Sequence, residues 1–310
     1  MKIFDLHSDL GFDIHEHFKK GEKDVLKKYH NDKVLKGEVS NIAMASYFEG
    51  YQSWDEMKAM ILDCETELNN QDVWHRVLTK EDLKVDKPLA LMSVEGMCGI
   101  KENEEECIQW MYDHGIRLAS LCWNDENALA TGVRGNEEHG LTEKGKNVIR
   151  KMDELKMVID VSHTNEKTFW DIMDTSNGLV IATHSNVYNL CNHPRNLKDE
   201  QIKAIAAKKG LIGMNAYPPF IKEKNLVVNV DELAKHAAYI KDLVGIEVLA
   251  CGFDFMDFWP GYEDKYIEEM RNASEVQNFI QALKNHHFSD EEIERIAYKN
   301  VIERFYEYLK

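Results

Sequence analysis

The chain has no apolar run long enough to cross a bilayer or to form the core of a signal peptide. Its opening, MKIFDLHSDL, soon turns polar. A membrane-spanning protein is therefore not expected. A surplus of basic residues is also missing. Lys and Arg number 38 against 55 Asp and Glu, for a formal charge of −17. That balance argues against nucleic acid, and against docking on an anionic membrane surface, since both draw their affinity from cationic side chains. Six cysteines are scattered with no CxxC pair, so neither a four-cysteine zinc site nor a disulfide framework is expected. Reduced thiols fit better. Only five prolines occur, no Pro/Gly/Ser-rich linker divides the chain, and there is no internal repeat. Residues 1–310 read as one domain. With 44% hydrophobic residues, the chain can bury a large core without staples.

Short apolar segments of strand length recur at Lys2–Leu6, Asn41–Tyr47, Leu89–Val94, Arg117–Cys122, Val158–Ser162, Leu179–Thr183, Leu211–Asn215 and Glu247–Phe253. Most are near-continuous, as parallel strands buried on both faces require. Helical periodicity separates most of them. Thr142–Lys156 carries Val148, Ile149, Met152 and Leu155 on one stripe. Lys198–Lys208 precedes Gly210, read as a C-terminal cap, and Asp231–Val244 precedes Gly245. Ser289 and Glu292 have capping-box spacing at the head of the last helix. Eight such alternations predict an α/β protein of the (β/α)8 TIM-barrel class. An open doubly wound sheet is disfavoured because no GxGxxG follows the first strand.

Barrel enzymes place their chemistry at the carboxyl ends of the strands. His7 and Asp9 follow the first apolar run and Glu95 the third. Trp123 and Asn124 follow the fourth, His163 the fifth and His184 the sixth. Asn215 and Tyr217 end the seventh, and Asp254 follows the eighth. Imidazoles and carboxylates suit zinc or a similar borderline ion. His7 and Asp9 are two apart, so on extended chain they leave the same face and can share one ion. His163 and His184 lie on neighbouring strands and can hold a second, while Glu95 has two oxygens with which to bridge. Each residue alone has a bland reading: a hydrogen-bonded core histidine, a turn at Glu95–Gly96, a helix N-cap at Asp254. The repeated placement at strand ends is what favours metal.

The blocks DLHSDL, SVEG, GLTEKGKNVIRKMDELKMVIDVSH, THSN, HPRNLKDEQI, CGFDF and YKNVIERF, in this order, resemble the membrane (renal) dipeptidase family of metal-dependent amidohydrolases. The resemblance implies a dipeptidase with two zinc ions. His7 and Asp9 would bind the first ion, His163 and His184 the second, and Glu95 would bridge them. It further implies that Asp254 handles the proton, that Arg195 receives the C-terminal carboxylate of a small dipeptide, and that Tyr217 assists. Members of the family with a signal sequence and lipid anchor are secreted. This chain shows neither mark, so the cytoplasm is the expected location. The family often pairs, which raises a homodimer.

Two stretches depart from the family pattern. SLCWNDEN puts Trp123 where a substrate-contacting histidine is usual, and Asn124 beside it is expected to supply a polar contact to substrate instead. GFDFMD alters the turn after Asp254 through Met256 and Asp257. The family tolerates D-residues on the leaving side, so an L-D dipeptide is among the expected substrates. Two other readings stand beside this one: a different metal-dependent hydrolase of deacylase or lactonase type, and a non-catalytic metal-binding barrel. His-x-Asp with a glutamate bridge disfavours the first, and the complete ligand set disfavours the second.

Overall fold

Strands buried on both faces have to be apolar along their length, and strands do form within or across all eight apolar runs. They are β1 (Ile3–Ser8), β2 (Val39–Tyr47), β3 (Leu89–Glu95), β4 (Ile116–Ser120), β5 (Val158–Asp160), β6 (Val180–Ile181), β7 (Ile212–Met214) and β8 (Leu249–Cys251). The computed structural model describes residues 1–223, 228–262 and 265–310. Helices follow most strands, and the ladders among the described residues are parallel. This alternation is the (β/α)8 architecture expected from the sequence. One addition is the two-residue strand His75–Arg76, which pairs with Leu89 and Ala90.

The chain divides into two compact units. The first comprises Met1–Asp9, Leu26–Ile42 and Ala182–Arg304. In it β1 pairs with β8 through Asp5 and Cys251, and β8 pairs with β7 from Ile212–Leu249 to Met214–Cys251. Ala182, just past β6, bridges to Ile212 in parallel. The helix Val230–Val244 packs on β7 and β8, with Asn229 capping its first turn by accepting the Glu232 N–H.

The second unit comprises Leu10–Val25, Ala43–Ile181 and Phe305–Lys310. In it β3, β4, β5 and β6 pair in sequence order. A register shift between Met92 and Ser93 marks a bulge in β3 shortly before Glu95. The helix Glu143–Leu155 buries Val148, Ile149, Met152 and Leu155, the stripe expected from spacing.

Several boundaries differ from the sequence reading for local reasons. The last run begins later as a strand because Ile246–Val248 winds as a 3-10 turn. Gly210 is not the left-handed residue after the helix Asp199–Ala207. Lys209 takes that conformation (φ +56°), and the Gly210 N–H closes the turn on the Ile205 carbonyl. Ser289 and Glu292 do form a capping box, but the helix they open changes to a π turn at Arg295–Lys299 before resuming.

One close approach matters for the site. A side chain at Gly252 would put its Cβ 1.8 Å from the Thr183 carbonyl oxygen, immediately before His184. Backbone cannot yield cheaply there. Gly252→Ala is expected to cost about 1–3 kcal/mol of stability through overpacking. Urea unfolding reads this as a lowered midpoint at unchanged slope, and an unchanged midpoint would show that the strand ends relax.

Candidate active site

In the first unit the site is built on the ends of β1 and β8. Asp5, on β1, is buried, and its Oδ1 accepts the N–H groups of His7 (3.2 Å) and Phe253 (2.9 Å). Burial pushes its carboxyl up to about 7, against the lowering effect of those two hydrogen bonds. The Asp254 N–H in turn donates to the His7 carbonyl at 3.3 Å. His7 is thereby held with Nε2 3.4 Å from Asp9 Oδ1 and 3.8 Å from Asp254 Oδ1. One donor atom from each of His7, Asp9 and Asp254 lies within 4.8 Å of the other two. Asp9 Oδ1 is buried and has no hydrogen-bond partner among the described residues. An imidazole and two carboxylates gathered around such an oxygen form a donor set that suits a divalent cation of the zinc type.

His184, 1% exposed, brings its ring to 3.9 Å from that of His7, centroid to centroid. Its Nδ1 meets the Thr183 hydroxyl at 2.7 Å, which leaves Nε2 as the nitrogen suited to ligation. Asp254 adopts φ +58°, a conformation uncommon outside glycine and better tolerated by Asp and Asn than by most residues. Its carboxyl is pushed up to about 6, first by burial and also by the neighbouring Asp9 charge. The Asn215 amide donates to Asp254 Oδ2 at 3.1 Å.

Arg195 is buried. Its guanidinium donates to Ser185 Oγ (3.4 Å) and to the His184 carbonyl (3.3 Å), and lies 5.3 Å from the Phe220 ring centroid. Tyr217 is half-buried. Its N–H donates to Asn215 Oδ1 (2.6 Å), its ring stands edge-on to Phe220 at 4.9 Å, and burial raises its phenol above the ordinary value. This unit therefore brings together His7, Asp9, His184 and Asp254, and places Arg195 and Tyr217 around one aromatic ring.

In the second unit, Glu95 and His163 end β3 and follow β5, with Glu95 Oε1 2.8 Å from His163 Nε2 and both side chains buried. His163 Nδ1 meets Asn124 Oδ1 at 2.9 Å. Asn124 thus orients the imidazole, a use its sequence position alone did not suggest. Gly96, at φ +85°, lets the chain turn directly after Glu95, and a Cβ there would crowd the Phe48 carbonyl at 3.0 Å. Trp123 stands edge-on to Tyr47 at 5.1 Å, lies 5.9 Å from the His163 ring, and carries the Arg134 guanidinium over its face at 4.7 Å.

The residues that sequence reasoning missed are the orienting ones: Asp5, Thr183 and Asn186. The Asn186 amide donates to the Asn215 carbonyl at 2.9 Å and its Oδ1 accepts the Asn215 N–H at 3.1 Å. The DLHSD block did hold a signal for Asp5, an acid buried within an apolar strand two residues before a histidine.

The sequence profile of the membrane dipeptidase family, peptidase family M19, matches residues 1–307. A protein of Acinetobacter calcoaceticus, uncharacterised and known by its position beside the PQQ-III region, is 34% identical over 174 residues, 53% of this chain and 55% of that protein. Dipeptidase tcpJ of Claviceps purpurea is 26% identical over 218 residues, 70% of this chain and 50% of that protein. The chain thus spans about half the length of these relatives. Among solved structures, dipeptidase AC, a metallopeptidase of family M19, superposes with a TM-score of 0.86 at 19% identity, over 99% of both chains. A metallopeptidase from Rhodobacter sphaeroides, bound to a phosphinate mimic of the dipeptide L-Ala-D-Ala, gives 0.86 at 18% identity over 98% of this chain and 99% of that one. These likenesses show the shared fold.

Replacing Asn124 by Leu removes the oxygen that meets His163 Nδ1 while keeping a similar volume. Zinc affinity, read by competition with a chromogenic chelator, is expected to fall about 10–100-fold. Unchanged affinity would show that the Asn124 contact does not orient a ligand.

Proposed function

The chain belongs to the membrane dipeptidase family, peptidase family M19, and from that premise we propose that it hydrolyses the amide bond of small dipeptides with two zinc ions as cofactors. The observation that carries the reading is the group of buried His7 and Asp9 with partly buried Asp254, whose donor atoms converge within 4.8 Å on the end of β1 and the turn after β8. In this reading residues 1–310 act as one catalytic domain. His7 and Asp9 would hold the first ion and His163 and His184 the second, with Glu95 as the ligand shared by both. Such a pair of ions, when bound, lowers the pKa of a water toward ~7 and polarises the scissile carbonyl.

The chain's own residues do the rest. Asp254 takes the proton released as water attacks and passes it to the leaving amine. Its carboxylate, held by the Asn215 amide at 3.1 Å, stands beside His7 and Asp9, where a proton can be accepted and then donated. Arg195 receives the C-terminal carboxylate, for which its planar fork is matched, and so favours free dipeptides over internal peptide segments. Tyr217, edge-on to the same Phe220 ring, assists there. Trp123, braced by Tyr47 and Arg134, takes the substrate side that a histidine occupies elsewhere in the family. The phosphinate seen in the Rhodobacter sphaeroides relative mimics an L-D dipeptide, which supports including L-D dipeptides among the substrates. Among the described residues no helix is long and apolar enough to cross a membrane. The six buried free thiols fit a reducing compartment, so the cytoplasm is the location we propose.

Hydrolysis of an L-L and L-D dipeptide panel by zinc-loaded protein, with a metal-stripped control, tests the reading. Metal-dependent cleavage is the expected result, and silence across the panel would overturn it. Asp254→Asn keeps a residue that tolerates positive φ but cannot carry the proton. Turnover should fall about 10²–10⁴-fold at unchanged metal content by atomic absorption. Arg195→Ala should raise KM for free dipeptides and leave a substrate without the terminal carboxylate little affected. Equal effects on both would remove Arg195 from that role.

A further inference from the structure

Two loops carry the groups assigned to the substrate's carboxylate end, and one side chain from outside the site joins them. Arg195 sits in the loop that starts at Val187. Its ends are closed by a parallel bridge between Val187 and Leu197, by the Tyr188 N–H on the Leu197 carbonyl (2.9 Å), and by the Leu197 N–H on the Asn186 carbonyl (2.8 Å). Tyr217 leads into the 3-10 turn Pro218–Phe220, which ends at Ile221. His236, in the helix Val230–Val244, is 1% exposed and stands between these loops. Its Nδ1 accepts the Val187 N–H at 3.0 Å, and its Nε2–H donates to the Ile221 carbonyl at 2.9 Å.

The backbone N–H fixes the chemistry of the ring. A backbone amide can only donate, so Nδ1 carries the lone pair and the proton is on Nε2. The imidazole is therefore neutral, and burial lowers its pKa in the same sense. Val187 and Ile221 are themselves buried. Loop backbone groups in such places need partners, and leaving one unsatisfied costs far more than a lost surface contact. An apolar residue at 236 would fill the volume and satisfy neither group.

The two loops also touch directly. The Asn196 amide donates to the Phe220 carbonyl at 2.8 Å, and the Phe220 ring contacts both the Arg195 guanidinium (5.3 Å) and the Tyr217 ring (4.9 Å). A shift of Val187 against Ile221 would therefore move the arginine, its aromatic seat and the tyrosine relative to one another.

We propose that His236 is a positioning residue for substrate recognition: its neutral ring sets the distance between the Arg195 loop and the Tyr217 turn, and so the fit of the dipeptide's C-terminal carboxylate. The proposal rests on the dipeptidase reading for its functional consequence, and on the hydrogen bonds of His236 for its structural one. His236 touches no reacting atom, so its effect belongs in KM rather than in kcat.

The experiment compares zinc-loaded wild type, His236→Leu and His236→Gln. A glutamine offers an oxygen to the Val187 N–H and an N–H to the Ile221 carbonyl. KM for a free dipeptide should rise about tenfold or more in His236→Leu, with kcat within about threefold. KM for the same dipeptide capped as its amide should stay at the wild-type value, and His236→Gln should recover most of the loss. Hydrogen exchange of peptides covering residues 185–197 and 216–221 should speed up in the leucine variant and return in the glutamine variant, with other regions unchanged.

A fall in kcat at fixed KM, an equal KM effect on free and capped substrates, or no recovery by glutamine would overturn the proposal. If His236→Leu does not fold, His236→Gln decides: wild-type KM and exchange support the role, and a glutamine variant with perturbed KM for both substrates removes it. If wild type cleaves no dipeptide, the dipeptidase reading fails. Hydrogen exchange then judges the strut separately, and unaltered exchange in both variants would sink it.

Discussion

Everything at the end of β1 depends on a buried carboxylate that is not itself at the chemistry. Asp5 Oδ1 accepts two backbone N–H groups, from His7 on its own strand and from Phe253 just past β8. Parallel pairing already sets Asp5 opposite Cys251. The two hydrogen bonds extend that registration beyond the ladder, where the chain would otherwise diverge into loops. With the Asp254 N–H on the His7 carbonyl, they hold the candidate ligands and the candidate proton carrier on one rigid frame. The cost is a carboxyl buried deeply enough to be pushed up to about 7. A strand whose only task was packing would put an apolar side chain there.

Much of this was legible because both-sided burial leaves strong traces. A parallel strand covered on both faces has to be apolar throughout, so each run announces itself, and the first polar residues after it mark the strand's carboxyl end. His7, Asp9, Glu95, His163, His184 and Asp254 stand out for that reason alone. The resemblance to a known family then gave Arg195 and Tyr217 their roles, which their neighbours in sequence do not. Boundaries were less legible. Strand limits rest on hydrogen bonds rather than on hydropathy, so β6 is only two residues long inside an apolar run of five.

The orienting residues were least legible, for a physical reason. Asn124, Asn186 and His236 each act through one or two hydrogen bonds to a group distant in sequence, and Thr183 acts through one to the ring of the next residue. A single polar residue in a loop or on a helix has no period and no fixed spacing from its partner. His236 lies 49 residues from Val187 and 15 from Ile221, and only the fold makes it a strut. The same limit explains the helix end at Lys209. Sequence favours glycine for a left-handed cap, but the turn closes with lysine in that conformation and the Gly210 N–H on the Ile205 carbonyl.

The electrostatics of the first unit give an argument for a cation that needs no comparison. Asp9 and Asp254 put two carboxylates beside the imidazole of His7, whose ring also faces that of His184 at 3.9 Å. Burial and the Asp9 charge both push Asp254 upward, to about 6, while His7 and Arg195 act in the opposite direction. A protonated His7 would offset at most one of the two negative charges, and it would then lose the lone pair that makes it useful as a ligand. A divalent ion resolves both problems at once. It would offset both carboxylates, leave His7 Nε2 free to act as a donor, and engage Asp9 Oδ1, which makes no hydrogen bond among the described residues. The acids beside β1 and β8 are thus better understood as counter-charges to a metal than as a surface feature of an acidic protein.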